Sequence, residues 1–505
     1  MRATAGFDNE KYLKEQTAEI LKRVEIFNSK LYLEFGGKLL FDYHAARVLP
    51  GFDPNVKMRL LQNLKDNIEV ILCIYAGDIE RKKVRADFGI TYDTDTLKTI
   101  DDFEEWGIKI NAVVITRYEE QPSAKSFKNK LERRGIKVYT HKATKGYPLD
   151  IDLIVSDEGY GANDYIVTNK PIVIVSGPGP GSGKLATCLS QLYHDYKRNI
   201  KAGYAKFETF PIWNLPLNHK VNTAYEAATV DLRDVNLIDH HHLEAYNEKT
   251  VNYNRDIEAF PLLKRIIEKI TGEESFYKSP TDMGVNRAGF GIINDEVVQQ
   301  AAHQEIIRRY FRCATEYALG FVDSETVQRS EMIMKNIGAK TEDRKVVRYA
   351  RESALTAEKN GKGNEGFYVG AAIELRDGTI ITGKNSSLMH AVSSMILNVS
   401  KHMAGLPDNL QLLPPNIMNS LNYLKKEIFN GKVVSLDLEE TLIALSISAI
   451  SNPAAQMALE KLKELNKCEV HITHIPTRGD EAGLRKLGVY LTCDPDFSSK
   501  YLFNN

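Results

Sequence analysis

Residues 171–203, PIVIVSGPGPGSGKLATCLSQLYHDYKRNIKAG, decide the fold. PIVIVS is a continuous apolar run of the kind a strand buried on both faces requires. After the glycines, Leu185, Cys188, Leu189, Leu192, Tyr193, Tyr196 and Ile200 make an apolar stripe at helical spacing that ends near Gly203. Strand, glycine loop and helix together aim backbone N–H groups and the positive end of a helix dipole at one point, which suits an anion.

The same rhythm surrounds this stretch. KLYLEF (30–35), EVILCIYA (69–76), INAVVIT (110–116) and IKVYTH (136–141) read as strands. DPNVKMRLLQNLKDN (53–67) starts as a helix, with Asp53 at the cap and Pro54 at the first helical position. DTLKTIDDFEEWG (95–107) and PSAKSFKNKLERRG (122–135) are helical and end in glycine. From about Ala224 the strand signals thin out and long amphipathic stretches take over. Thr356–Gly366 (TAEKNGKGNEG) is polar, glycine-rich and aperiodic, and reads as a linker. Beyond it, residues 367–385 form a hairpin around Asp377-Gly378. The chain is therefore expected to be α/β and multidomain. Residues 1–223 form a mostly parallel sheet with flanking helices and a glycine-rich loop, 224–355 a mainly helical region, and 367–505 a C-terminal α/β domain.

A length of 505 residues supports such a division. With 66 Lys and Arg against 67 Asp and Glu, and no long basic stripe, nucleic acid is not an expected partner. Cys73, Cys188, Cys313, Cys468 and Cys493 lie far apart with no C-x-x-C, which disfavours disulfides and zinc ribbons. The absence of a signal-like segment or a long apolar run predicts a cytoplasmic protein without a membrane partner. A homo-oligomer is compatible with this composition.

The glycine stretch departs from the P-loop pattern G-x-x-x-x-G-K-[ST]. With Gly183 and Lys184 aligned to its end, Pro178 takes the first glycine slot and Leu185 the place of the magnesium-binding hydroxyl. Pro178 and Pro180 also remove two N–H donors and stiffen the loop. Gly177, Gly179, Gly181, Ser182, Gly183, Lys184 and Thr187 remain the expected phosphate-binding residues, with Ser182 or Thr187 as the substitute hydroxyl. A nucleotide held there with Mg²⁺ calls for a carboxylate at a strand end, and Asp239, or else Asp231, is the candidate metal ligand. Arg255 and Arg287, beside turn residues, are candidates for gripping an anionic second substrate. His240 and His242 are a further metal-ligand pair if that segment is extended. Trp213 and Phe210 are candidates for stacking on a ring, and Gly36, Gly37 and Lys38 offer a second backbone approach to an anion.

Two resemblances follow from longer motifs. KLYLEFGGKLLFDYHAARVLPGFDP, GPGPGSGKLATC, GYAKFETFPIWNLPLNHKVNTAYEAATVDL, VNYNRDIE and SPTDMGVN resemble the bacterial family catalogued as uncharacterised protein family 0371, or domain of unknown function 1846. That resemblance implies a bacterial cytoplasmic protein of several domains. YVGAAIELRDGTIITGKN, from Tyr368, is similar to the opening hairpin of cytidine deaminases, whose zinc motif would begin near His390. Here Ala391 and Val392 follow His390 and no P-C-x-x-C exists, so a deaminase-like fold would carry no zinc chemistry.

The sequence thus points to a nucleotide- or phosphate-binding enzyme of phosphoryl-transfer or hydrolase type. Lys184, Asp239, Arg255 and Arg287 would carry the chemistry on a small phosphorylated ligand. The alternative is a non-catalytic binder of a phosphorylated metabolite or nucleotide.

Overall fold

The strand expected before the glycine loop, Ile172–Ser176, lies at the centre of a seven-stranded sheet. The computed structural model describes residues 5–27, 30–85, 89–431 and 434–499. The sheet strands in chain order are β1 (Leu31–Phe35), β2 (Ile68–Tyr75), β3 (Ile110–Thr116), β4 (Val138–His141), β5 (Ile172–Ser176), β6 (Gly203–Phe207) and β7 (Gly284–Val285). They stand in the order β7-β6-β1-β5-β2-β3-β4, and every pairing is parallel. All residues of β1 and β5 are buried, which is why β5 reads as an apolar run and β1 as one broken only by Glu34.

The connection from β1 passes over β5 to reach β2, and the one from β5 passes over β1 to reach β6. The chain therefore leaves two adjacent strands in opposite directions. Such a switch opens a crevice beyond the carboxyl ends of the strands, the usual ligand position in open parallel sheets.

Helix α1 (Asn9–Phe27) grips the outer edge strand: the Gln16 side chain donates to the Val285 carbonyl at 2.9 Å and accepts from the Arg287 amide at 2.8 Å. Helix α2 (Lys184–Lys197) follows the glycine loop, and α3 (Asn254–Thr271) lies beside it. Cys188, Leu189, Leu192 and Tyr193 of α2 and Phe260, Ile266 and Ile267 of α3 share one core with Tyr32, Ile71, Val114, Val173 and Val175 of the sheet. The far end of α2 is pinned by Asp195, wholly buried, which accepts from Lys30 Nζ at 3.1 Å, Tyr32 OH at 2.7 Å and Tyr165 OH at 2.8 Å.

Residues 2–302 form one compact unit and residues from His303 onward another, the division falling within the helix Asp295–Ala318. The region expected to be mainly helical from residue 224 also carries strands. Asn236–Ile238 pairs antiparallel with Val251–Tyr253, and β7 extends the main sheet beside β6. Lys206 and Phe207 belong to β6, and Thr356–Lys359, expected in a linker, end the helix Lys345–Lys359. Among the described residues no helix is long and apolar enough to cross a membrane. The five cysteines are buried and unpaired.

The second unit is built on a four-stranded mixed sheet. Strands β8 (Gly370–Glu374) and β9 (Ile380–Lys384) form the expected hairpin, and β10 (Glu469–Ile472) and β11 (Tyr490–Cys493) complete the order β9-β8-β10-β11. Helix α4 (Lys345–Lys359) covers one face, touching Gly370, and α5 (Ala391–Met403) the other, touching Gly383. Arg344, only 1% exposed, donates to Thr492 Oγ1 and to the Val470 and Tyr490 carbonyls, and pairs with Glu469. Arg308 meets the same carboxylate at 2.8 Å. Removing Glu469 would leave the buried Arg344 guanidinium without its paired carboxylate and Arg308 with Glu305 alone. Glu469→Ala is therefore expected to cost about 3 kcal/mol in this unit, read by urea denaturation; a change within experimental error would show the pair to be dispensable.

Candidate functional site

The glycine loop runs from the carboxyl end of β5 into α2, at the switch between β1 and β5. Two glycines are required for distinct reasons. A Cβ on Gly177 would lie 2.3 Å from the Cys73 carbonyl oxygen, so the backbone of this turn packs directly on β2. Gly183, the residue before α2, has φ +91°, and a Cβ there would meet Thr116 Cγ2 at 2.6 Å. Thr116, the last residue of β3, donates its hydroxyl to the Ser182 carbonyl at 2.8 Å.

The loop's surroundings leave its amides free. Among the described residues, none of the N–H groups from Gly181 through Ala186 donates to another protein group; the first committed amide of α2 is that of Thr187, bonded to the Gly183 carbonyl. Lys184 Nζ folds over the loop, donating to the Gly179 carbonyl at 3.2 Å and Ser182 Oγ at 3.4 Å. Arg117 stands opposite, its guanidinium 3.4 Å above the Tyr75 ring and donating to the Gly181 carbonyl. Two cations and a row of unpartnered amides thus meet at one helix N-terminus.

A charged cluster occupies the neighbouring strand ends. Glu34 of β1 and Lys206 of β6 are register partners and share a face. Lys206 Nζ lies 2.7 Å from Glu208 and 2.6 Å from Asp256, and Tyr204 OH donates to Glu34 at 2.7 Å. Burial would pull the Lys206 ammonium down, but Asp256 and Glu208 hold it up and charged. Burial, with the negative charge of Asp256, raises the Glu208 carboxyl to about 7 even though Lys206 opposes the shift. Arg255 donates to Asp234 Oδ2 at 3.2 Å, and the charges of Lys206, Asp256 and Asp231 all reach Asp234. The charge of Asp231 also acts on Tyr92, whose hydroxyl abuts Gly179.

Of the residues singled out by sequence, Gly177, Gly179, Gly181, Ser182, Gly183 and Lys184 form the loop itself. Thr187 is buried beneath it and accepts from the Cys73 thiol at 3.4 Å, so its hydroxyl is turned to the core. Burial pushes that thiol up to about 12, which makes it inert. Asp239 caps the helix His240–Tyr246 through the His242 amide and takes both the amide and the hydroxyl of Thr281; its oxygens are committed. The segment His240–Tyr246 is helical rather than extended, and His242 Nδ1 is tied to Ser279 Oγ at 2.8 Å. Among the described residues no group of three or more His, Cys, Asp and Glu is arranged to hold a metal ion. Arg287 is bound to Glu19 of α1, and Arg255 belongs to the charged cluster. Phe210 is buried and stacks on Tyr225, while Trp213 Nε1 donates to the Asn286 carbonyl, so both rings are structural. In the second unit His390 Nδ1 lies 2.8 Å from Asp480, whose charge outweighs burial and raises the imidazole pKa.

Arg117, Glu34, Lys206, Glu208, Asp234 and Asp256 were not foreseen. Their signal was present in two of them: Glu34 and Lys206 are charges at inward positions of strands otherwise buried on both faces.

Comparison with known proteins identifies relatives along the whole length. The chain matches the model of domain of unknown function DUF1846, N-terminal, over residues 5–338, and that of its C-terminal domain over residues 342–503. A UPF0371 protein of Clostridium tetani (strain Massachusetts / E88) is 59% identical over 500 residues, covering 99% of each chain. A UPF0371 protein of Clostridium botulinum (strain Langeland / NCTC 10281 / Type F) shows the same identity and coverage.

Two outcomes test this geometry. Gly183→Ala places a methyl against Thr116 at positive φ and is expected to cost about 3 kcal/mol, whereas Gly181→Ala, at φ +75° with open space around it, should cost about 1 kcal/mol by urea denaturation. For Glu208, a folded pKa above the unfolded value of 4.5 means that the stability it contributes is fully present below that value and lost as pH rises through about 7. Relative to the native protein, Glu208→Gln should therefore gain stability between pH 5 and pH 8; a pH-independent difference would contradict the raised pKa.

Proposed function

We propose a phosphate-binding function for this chain, which belongs to the DUF1846 family. The phosphoryl group of a small phosphorylated ligand, a metabolite or a nucleotide, is held at the N-terminus of α2. The observation that carries this reading is the run of amides from Gly181 through Ala186, all unpartnered and flanked by Lys184 and Arg117. First-turn N–H groups have no intrahelical partner, and a phosphate supplies acceptor oxygens together with the negative charge that a helix N-terminus favours. The ligand's remainder extends along the carboxyl edge toward Lys206 and Glu208, where a carboxyl that titrates near neutrality suits general acid–base work.

A phosphoryl-transfer enzyme working with Mg²⁺ and a nucleoside triphosphate is the second reading, supported by the lysine that closes the loop. Binding without magnesium has the stronger support. Leu185 occupies the place of the metal-binding hydroxyl, Thr187 faces the core, and Asp239 is spent on a helix cap and on Thr281.

Thermal unfolding separates the two. Inorganic phosphate and AMP in the presence of EDTA are expected to raise the melting temperature of the native protein, and Lys184→Ala should lose most of that rise. A rise that requires Mg²⁺ and appears only with ATP would favour the phosphotransferase. No rise with any of them, or one that Lys184→Ala leaves intact, would eliminate the loop as a phosphate site.

A further inference from the structure

Beside the loop lies a group of buried polar atoms for which the protein supplies no partner. Asp234 is 1% exposed; its Oδ2 accepts from Arg255, but its Oδ1 has no hydrogen bond. Asn236 Oδ1 and the Tyr253 hydroxyl are likewise buried and unpartnered, and these two residues are register partners in the short antiparallel hairpin. Tyr253 is in electrostatic reach of Glu208, Asp234 and Asp256, so the three unmatched atoms and the Lys206 cluster belong to one region. Leaving a buried acceptor unmatched costs about 1–3 kcal/mol, and several in one place call for a ligand or ordered water that supplies donors.

The composition of this region restricts what that ligand is. Among the described residues, Lys206 pairs with Glu208 and Asp256, Arg255 with Asp234, and Glu34 accepts from the Tyr204 hydroxyl, so the recorded carboxylates outnumber the recorded cations. An excess of carboxylates repels a second phosphate and rejects the tail of a polyphosphate. Carboxylate and amide oxygens accept hydrogen bonds, and the Tyr253 hydroxyl can donate or accept, so the matching groups are hydroxyls. The loop rises from β5 and Lys206 from β6, with β1 between them, so two strand spacings, about 10 Å, separate the loop's strand from that of the cluster's lysine.

We propose that the ligand is a phosphorylated polyol, a sugar phosphate, bound with its phosphate at Gly181–Ala186 and its hydroxyls on Asp234, Asn236, Tyr253 and Glu208. This inference rests on the phosphate reading of the loop and adds the chemical class of what the phosphate is attached to. Lys206 positions Glu208 and Asp256, and Arg255 positions Asp234.

The test compares inorganic phosphate with ribose 5-phosphate, glucose 6-phosphate and glycerol 3-phosphate by calorimetric titration of the full chain. At least one of the three esters is expected to bind about tenfold or more tightly than inorganic phosphate, since each hydrogen bond to a charged acceptor carries roughly that factor. Asp234→Asn and Tyr253→Phe should each erase most of that advantage and leave the affinity for inorganic phosphate unchanged. Tyr253→Phe removes only an unpartnered hydroxyl and should fold as the native chain does, so it serves if Asp234→Asn does not. Lys184→Ala should weaken the esters and inorganic phosphate alike. If inorganic phosphate binds but no ester binds better, or if the advantage survives both hydroxyl-subsite variants, the polyol subsite is wrong and the phosphate loop stands. If inorganic phosphate itself does not bind, both fall.

Discussion

The candidate site depends on one buried carboxylate far from it. Asp195, near the C-terminal end of α2, collects Lys30, Tyr32 and Tyr165 at a fully buried point. A carboxylate in that position is tolerable only because its charge is met by an ammonium and two hydroxyls. The result is a helix fixed to the sheet at its far end by polar bonds and along its length by Cys188, Leu189 and Leu192. With both fixed, the first turn of α2 has little freedom. The glycines at 177 and 183 then allow the loop to close against Cys73 and Thr116 without a side chain in the way. The unpartnered amides are held open by this packing rather than by any bond of their own, which is the preorganisation an anion site needs.

The charged cluster follows from the same sheet. Because β1 and β6 are parallel and in register, Glu34 and Lys206 fall on one face and at one height, beside the carboxyl end of β5. Each would be prohibitive alone in a strand buried on both sides; together, with Glu208, Asp256 and Tyr204, they form a network in which Lys206 meets two carboxylates and the Tyr204 hydroxyl donates to the third, Glu34. Such networks are costly compared with apolar packing, and one confined to the crevice of a topological switch is more economically explained by a ligand than by stability.

The parallel sheet was legible in the sequence because strands buried on both faces leave no polar alternation to confuse them, as in PIVIVS and INAVVIT. The glycine loop was legible because its residue types have few other uses. Less legible was the region after residue 224, where NLI and VNY are too short to stand out as strands although they pair with each other. Asp239 and Thr187 misled for a common reason. The sequence pattern names a residue type at a spacing, whereas function depends on which side the group faces, and capping and core hydrogen bonds claim these two. Arg117 could not be foreseen at all, since it joins the loop from β3 across the sheet.

The two prolines of the loop acquire a physical role in this arrangement. Pro178 and Pro180 flank Gly179, which lies against the Tyr92 hydroxyl, and they remove N–H donors just before the amide row begins at Gly181. A phosphate loop that wraps a triphosphate needs donors along its whole length, because each phosphate must be met in turn. A loop stiffened and stripped of donors in its first half, and rich in them only at the helix N-terminus, suits the single phosphate proposed above rather than a triphosphate. The side chains at the loop, Lys184 and Arg117, are cationic, whereas the neighbouring cluster sets Glu208, Asp234 and Asp256 against Lys206 and Arg255. A gradient of that sign orients a ligand with one anionic end and a neutral, hydrogen-bonding body, and it disfavours one that is anionic throughout.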